Sequence, residues 1–199
     1  MKRFAVAFTT TGNSPKDGHR FSEIVVVGDE NGVAYGEAVS FKLVGDEAKD
    51  SVEFATALDA MKSLVGDSAI VVLDAGKWRR FLRAELRTIK RHGAAYLMNN
   101  VVDVSTWAHQ RYPRQRKDVT AIARRAGVEI PVGLGGLVLE AELLRRIGNL
   151  ISEAKISGDQ SESGGAMPPS VEIGQAKAQR VINWVERIGC FLRTLMGKT

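Results

Sequence analysis

Phe4-Ala5-Val6-Ala7-Phe8-Thr9-Thr10-Thr11-Gly12 is a short apolar run that stops abruptly at threonines and a glycine. A run of this length bounded by turn chemistry predicts a buried strand feeding a loop. The flanking sequence extends the pattern. Phe21-Ser22-Glu23-Ile24-Val25-Val26-Val27 predicts a second strand, and Gly28-Asp29-Glu30-Asn31-Gly32 a hairpin turn, with Asn31-Gly32 as its strongest signal. Residues 3–9, 21–28 and 33–43 therefore predict a three-stranded meander, with Gly36 as a candidate bulge.

Downstream, the period changes. Val52, Ala55, Leu58, Met61 and Leu64 recur every three or four residues, which predicts a core-facing helix over 50–64. Ala69-Ile70-Val71-Val72-Leu73 is continuously apolar, as in a parallel strand buried on both faces. A helix is predicted over 77–91, with Trp78, Phe81, Leu82, Leu86 and Ile89 inward and a solvated Arg/Lys face, closed by His92-Gly93. Val101-Val102-Asp103-Val104 predicts a short strand running into a helix at 104–111, which Tyr112-Pro113 stops. Asp118 is placed to cap a helix at 119–126, and Gly133-Leu134-Gly135-Gly136 precedes a long helix over 137–155. A meander followed by alternating strands and helices predicts an α/β domain on a mixed sheet.

Composition sets the outer limits. The chain has 199 residues, 44% hydrophobic and 26% charged, proportions that suit one globular domain with an appendage. A net charge of +5 permits an acidic or nucleic-acid partner without requiring one. The single Cys190 excludes an internal disulfide and a cysteine-rich metal site. The apolar run after Lys2 and Arg3 is too short for a signal peptide, and no stretch is long enough to span a membrane, so a cytoplasmic location is expected.

The opening resembles that of the DnaQ-like 3′-5′ exonucleases of the ribonuclease H-like superfamily, whose first strand ends in Asp-x-Glu-Thr-Thr-Gly. Here that frame reads Ala7-Phe8-Thr9-Thr10-Thr11-Gly12. The resemblance runs on over roughly residues 3–150. Leu73-Asp74-Ala75-Gly76-Lys77-Trp78 occupies the family's His-Asn-x-x-Phe-Asp motif, with Phe81-Leu82 and Glu85-Leu86 following in register. Asp103-Val104-Ser105-Thr106 is similar to the family's Asp-Ser-Leu segment. Pro113 and then Asp118-Val119-Thr120-Ala121-Ile122 resemble the family's next landmarks, a proline and then Ser-Leu-Asp-x-Leu. In the last motif Gly135 takes the histidine position and Glu140 the aspartate position, while Gly136 stands at the place of the tyrosine variant. The resemblance implies a ribonuclease H-like fold. It also implies a phosphodiester chemistry in which carboxylates hold two metal ions and the histidine activates water.

Hard divalent ions require carboxylate oxygens. Of Ala7, Thr9, Trp78, Gly135 and Glu140, only the last offers one. No catalytic residue, metal ligand or cofactor is therefore expected, and the favoured expectation is a catalytically degenerate relative that binds nucleic acid or a replication or repair partner. One alternative is an active exonuclease with a relocated ion on Asp74, Asp103 and Glu140. The bland reading of those acids is a helix cap, a strand-end acceptor and a first-turn acid favoured by the helix dipole. The expected contacts to single-stranded nucleic acid are Thr10, Thr11 and Gly12 in the loop, with Arg114, Arg116 and Lys117 as phosphate partners. His19, His92 and His109 lack metal-ligand spacing and read as surface or cap residues.

The C-terminal part divides from the domain. With the domain at 1–156, residues 157–170 are polar, small and proline-ended and read as a linker. Residues 171–199 predict an amphipathic helix with Val181, Trp184, Val185, Ile188, Leu192 and Leu195 on one stripe. So broad a stripe predicts docking on a partner or on a second copy, with docking back on the domain as the alternative, rather than on a membrane. A protein-only interaction module working through this helix is the third functional reading.

Overall fold

β1 (Lys2–Thr10) lies in the middle of a five-stranded sheet of order β3-β2-β1-β4-β5 in the computed structural model, which describes residues 2–43, 52–91, 96–114 and 117–158. β2 (Phe21–Glu30) and β3 (Val33–Lys42) complete the antiparallel meander, with Val6 opposite Val26 and Val26 opposite Val39. The predicted five-residue turn contracts to Asn31 and Gly32, at φ 54° and 85°. Left-handed geometry at both positions matches the right-handed twist of the strands, so β2 continues to Glu30. Between the pairs Val26–Val39 and Gly28–Tyr35, β3 carries extra residues, and Gly36 at φ 72° absorbs them as the bulge. β4 (Ala69–Val72) pairs parallel with β1, and β5 (Val101–Asp103) parallel with β4. The mixed sheet is thus a parallel core with an antiparallel edge.

The helices are α1 (Phe54–Val65), α2 (Ala75–Thr88), the short α3 (Tyr96–Asn99), α4 (Val104–Arg111), α5 (Val119–Arg125) and α6 (Gly136–Gly158). Several boundaries differ from the expectations. α2 starts two residues early because the Asp74 side chain accepts from Lys77 N and caps it, and it ends at Thr88 because Lys90 turns left-handed at φ 54°. His92-Gly93 lies outside the described residues. α6 runs on through Gly158, two residues into the stretch expected as linker, whose remainder lies outside the described residues.

Alternation along β1 splits the interior in two. Phe4 and Val6 join α1 and α2, with Trp78, Phe81 and Leu82, in one cluster. Ala5 and Ala7 join α4, α5 and α6 in the other. The second face is built small, and α6 comes close to it: a methyl at Gly148 would stand 2.9 Å from Val71 Cγ2. Among the described residues no helix is long and apolar enough to cross a membrane.

Candidate nucleic-acid interface

Because β1, β4 and β5 run parallel, their C-terminal ends share one edge of the sheet, where Thr9, Asp74 and Asp103 follow one another. The loop after β1 is fixed there by its own polar groups. Thr10 Oγ1 donates to the Gly12 carbonyl at 2.6 Å. Thr11 N donates to the Arg20 carbonyl at 2.9 Å, and Arg20 N donates to Thr11 Oγ1 at 3.0 Å. The His19 ring folds over Gly12 so closely that a β-carbon there would meet it at 2.4 Å. Any side chain at position 12 would displace His19 or open the loop.

Arg20 also anchors this loop to α2. Its Nε lies 3.1 and 3.2 Å from the Glu85 carboxylate oxygens and its Nη2 2.5 Å from Oε2. Glu85 is only 3% exposed. Sequence reasoning recognised Glu85 as a motif residue and assigned it no task. The signal was its place on the buried stripe of α2, in step with Trp78, Phe81 and Leu82, where a carboxylate needs a cation.

The acids at the strand ends are employed as caps. Asp74 Oδ1 accepts from Lys77 N at 2.8 Å. Asp103 accepts from Thr106 N and Ser105 Oγ on one oxygen and from Ala75 N on the other, each near 3 Å. Asp118 accepts from Thr120 N at 2.9 Å and starts α5. These match the bland expectation for Asp74 and Asp103. Glu140 departs from it: α6 begins at Gly136, so Glu140 sits in the second turn rather than the first. Burial and then the charge of Asp118 push its carboxyl above the usual range. Burial also works to raise Asp74, but the Lys77 N–H and the charges of Lys117 and Arg80 outweigh it and hold that carboxyl low. Asp74, Asp103 and Glu140 do not come together as the relocated set; among the described residues no three His, Cys, Asp or Glu side chains form a metal-holding group.

Of the positions where the resemblance places metal ligands and the histidine, Ala7 and Trp78 are buried, whereas Thr9 and Gly135 are exposed. Trp78 is fully buried, 5.4 Å from the Phe8 and Phe21 rings, and its indole N–H donates to the Leu97 carbonyl at 2.8 Å. Ala7 is buried beneath the second helical layer. Thr9 Oγ1 is shared with Ser22 Oγ at 2.9 Å. These donors do not suit a divalent cation.

Cations occupy the same edge. Lys117 Nζ stands 3.5 Å from Asp74 Oδ2 with its side chain 71% exposed. Lys77 Nζ lies about 6 Å above the Phe8 and Phe81 rings. Arg114 is exposed on the connection between α4 and α5, at φ 72°. Arg79 leaves the predicted solvated face of α2, donating from Nε to the Met98 carbonyl at 2.8 Å. His109 is exposed. Arg116, His92 and the tail residues Val181, Trp184, Val185, Ile188, Leu192 and Leu195 lie outside the described residues.

No family model matches the chain. It is 24% identical over 196 residues to the DNA polymerase III subunit epsilon of Rickettsia felis, covering 89% of this chain and 83% of that one. It is 26% identical over 137 residues to the same subunit of Rickettsia prowazekii, spanning 60% of each. Among solved structures, product-bound exonuclease I superposes with a TM-score of 0.56 at 12% identity, over 79% of this chain and 48% of that one. The nuclease domain of 3′hExo, a DEDDh family member solved with rAMP, superposes with a TM-score of 0.51 at 13% identity, over 77% and 92%.

Proposed function

Because this chain belongs to the DnaQ-like exonuclease family of ribonuclease H-like fold, we propose that it is a non-hydrolytic member that binds single-stranded nucleic acid. Trp78 carries the reading. It stands at the position of a metal-binding aspartate, and its indole is built into the core, so the place of a ligand is occupied by packed aromatic rings. Ala7 and Thr9 add no carboxylate, and of the acids nearby Asp74, Asp103 and Asp118 are engaged as helix caps, which leaves Glu140 as the one acid at a motif position. What is left on that edge is a hydroxyl-bearing loop, Thr10-Thr11-Gly12, together with the cations Arg114 and Lys117. Such a surface binds phosphate through counterion release and needs no metal ion.

The test is a nuclease assay with Mg²⁺ or Mn²⁺ on single-stranded DNA and RNA, run beside a binding titration. Binding that weakens steeply with salt, without release of nucleotides, is expected. Metal-dependent release from a 3′ end, abolished by Asp74→Ala or Glu140→Ala, would overturn the reading. Equal low-salt binding by wild type and by the Arg114→Gln/Lys117→Gln variant would remove the assigned phosphate contacts.

The tail supports a second role beside this one. The match to the R. felis subunit covers a larger share of the chain than the domain ending at Gly158, so it takes in residues beyond that helix. That relative is by name a polymerase subunit, and the stripe from Val181 to Leu195 suits a protein partner. A chain cut after Gly158 should keep oligonucleotide binding and lose self-association or capture of a replication or repair protein. Retained capture would remove the tail from the interaction.

A further inference from the structure

Arg80, Arg83 and Arg87 stand exposed on α2. At about 100° per residue their positions fall within roughly 60° of one another around the helix. They lie on the side opposite Trp78, Phe81, Leu82 and Leu86, which face the core. The only acid of α2 is Glu85, and it is buried and paired with Arg20. Among the described residues, no ion pair engages Arg80, Arg83 or Arg87. By contrast Arg79, Arg20 and Arg91 are held by the Met98 carbonyl, Glu85 and Asp59. Like charges three and four positions apart on a helix repel one another, and no exposed carboxylate on α2 offsets them.

We propose that the Arg80–Arg83–Arg87 face of α2 binds the sugar–phosphate backbone of a single-stranded nucleic acid as the strand leaves the cleft. The proposal rests on the nucleic-acid reading above and extends it along a second element. Its first support is continuity. α2 starts at the cleft, where Asp74 caps it. Lys117 Nζ stands 3.5 Å from Asp74 Oδ2, and the charge of Arg80 acts on the same carboxylate. From Arg80 the stripe runs away from the cleft on one unbroken helix. Its second support is charge complementarity. Three guanidinium groups with no acid among them match a polyanion, and each offers paired donors to phosphate oxygens. Both aromatic rings of α2, Trp78 and Phe81, are buried. The face therefore contacts phosphates and does not stack bases. Its third support is length. From Arg80 to Arg87 the helix rises roughly 10 Å at about 1.5 Å per residue. That is the span of about three nucleotides at roughly 3.4 Å each in a stacked strand.

The test measures the affinity of a fluorescent deoxyadenosine dodecamer for the full chain across a salt series. Arg83→Gln/Arg87→Gln removes two phosphate contacts and leaves Arg80 beside Asp74. The slope of log affinity against log salt should become shallower by about 1.4, from about 0.7 per contact on a single strand. Over a tenfold rise in salt the wild type then loses about 25-fold more affinity than the variant. Arg83→Lys/Arg87→Lys keeps both charges and should keep the slope. Arg124→Gln/Arg125→Gln removes the same charge from α5, in the layer on the opposite face of the sheet, and should leave the slope unchanged. The melting temperature of Arg83→Gln/Arg87→Gln should not fall, because repulsion along α2 is relieved.

If Arg83→Gln/Arg87→Gln keeps the wild-type slope while Arg114→Gln/Lys117→Gln weakens binding, the stripe proposal fails and the cleft reading stands. If only the α2 variant weakens binding, the stripe stays and the cleft contacts fall. An equal loss of slope in Arg124→Gln/Arg125→Gln would reduce the effect to net charge and overturn the proposal. If the dodecamer does not bind, both fall. A polyglutamate of matched charge that binds as tightly, with the same dependence on Arg83 and Arg87, would overturn the proposal in favour of an acidic protein partner.

Discussion

The two ends of the sheet use charge in opposite ways. At the hairpin end Asp29, only 2% exposed, accepts from Arg145 Nη1 at 2.8 Å, from Asn149 Nδ2 at 3.0 Å and from Gly32 N at 3.1 Å, and pairs with Arg3. Arg145 is engaged again by Glu142, which also holds Arg146. The Arg3 guanidinium reaches the Gly148 carbonyl and the side chains of Asn149 and Ser152 as well. At the other end Asp74 and Asp118 each serve one helix start, Asp103 serves the start of α4 and also accepts from Ala75 N at the start of α2, and Lys117 and Arg114 are exposed. The first arrangement closes on itself and pins α6 to the hairpin. The second leaves cations available to an outside anion. Charge density alone does not mark a functional end; the decisive property is whether the charges are already satisfied by one another.

Removing one partner from each end should give the largest contrast. Asp29→Ala leaves Arg145 buried beside a lost anion, and breaking such a pair typically costs about 3–5 kcal/mol. In chemical denaturation, a loss no greater than that of a cleft-end cap variant would break the comparison. The same group has a pH signature. Burial works to raise the Asp29 carboxyl, but Asn149, Arg145 and the Gly32 N–H outweigh it and hold the folded value below the ordinary 3.8. Its contribution is thus present above that value and is lost as pH falls through the lower, folded one. Trp78→Asp belongs with the large effects, because it empties an aromatic core position at about 3–5 kcal/mol and adds an unpaired charge. Restoring that aspartate should therefore unfold the domain before it recruits metal; a folded, Mg²⁺-binding Trp78→Asp protein would contradict the assignment of Trp78 to the core.

The sequence carried much of this architecture because the signals were local. Asn31-Gly32 named its turn, Gly36 its bulge, and Asp74, Asp103 and Asp118 stood directly before the helices they cap. That Ala7, Thr9 and Trp78 carry no carboxylate where the resemblance would place one was equally visible, since it is a matter of residue type. The Arg20–Glu85 anchor and the Asp29–Arg145 network were not legible in the same way. Their partners are separated by 65 and 116 positions and meet only after the layers pack. Glu140 falls just past the first turn because α6 begins one residue earlier than expected, the glycines at 135 and 136 blurring its start.

A moderate effect is expected at Asp74. Its replacement by alanine removes a side-chain cap from Lys77 N and a largely solvated pairing with Lys117, so about 1 kcal/mol should be lost, mostly through the cap. Asp74→Asn keeps an acceptor at the helix start and should recover most of that stability. It also removes an anion beside Lys117 and should strengthen oligonucleotide binding at low salt. Weaker binding by Asp74→Asn, in a protein of unchanged stability, would assign Asp74 to the ligand side of the cleft and sharpen the contrast with Asp29.

The smallest effect concerns Glu140. Burial and the Asp118 charge raise its carboxyl above the ordinary 4.5. The folded protein then holds this proton more tightly than the unfolded chain does. Between the ordinary value and the raised one, stability therefore falls as pH rises, the reverse of the Asp29 contribution. Glu140→Gln removes the titration and should flatten that slope, with a gain of roughly 0.5 kcal/mol near neutral pH, the scale of a substitution outside the tightly packed core. Magnesium makes the measurement decisive for the cleft. An ion held between Glu140 and Asp118 would favour the ionised carboxylate and flatten the wild-type slope by itself. The expected outcome is an unchanged wild-type slope with and without Mg²⁺, because Asp118 is committed to the start of α5 and the neighbouring ligand positions are Ala7, Thr9 and Trp78. A Mg²⁺-dependent slope that disappears in Glu140→Gln would return a metal ion to this edge of the sheet and reopen hydrolysis as its function.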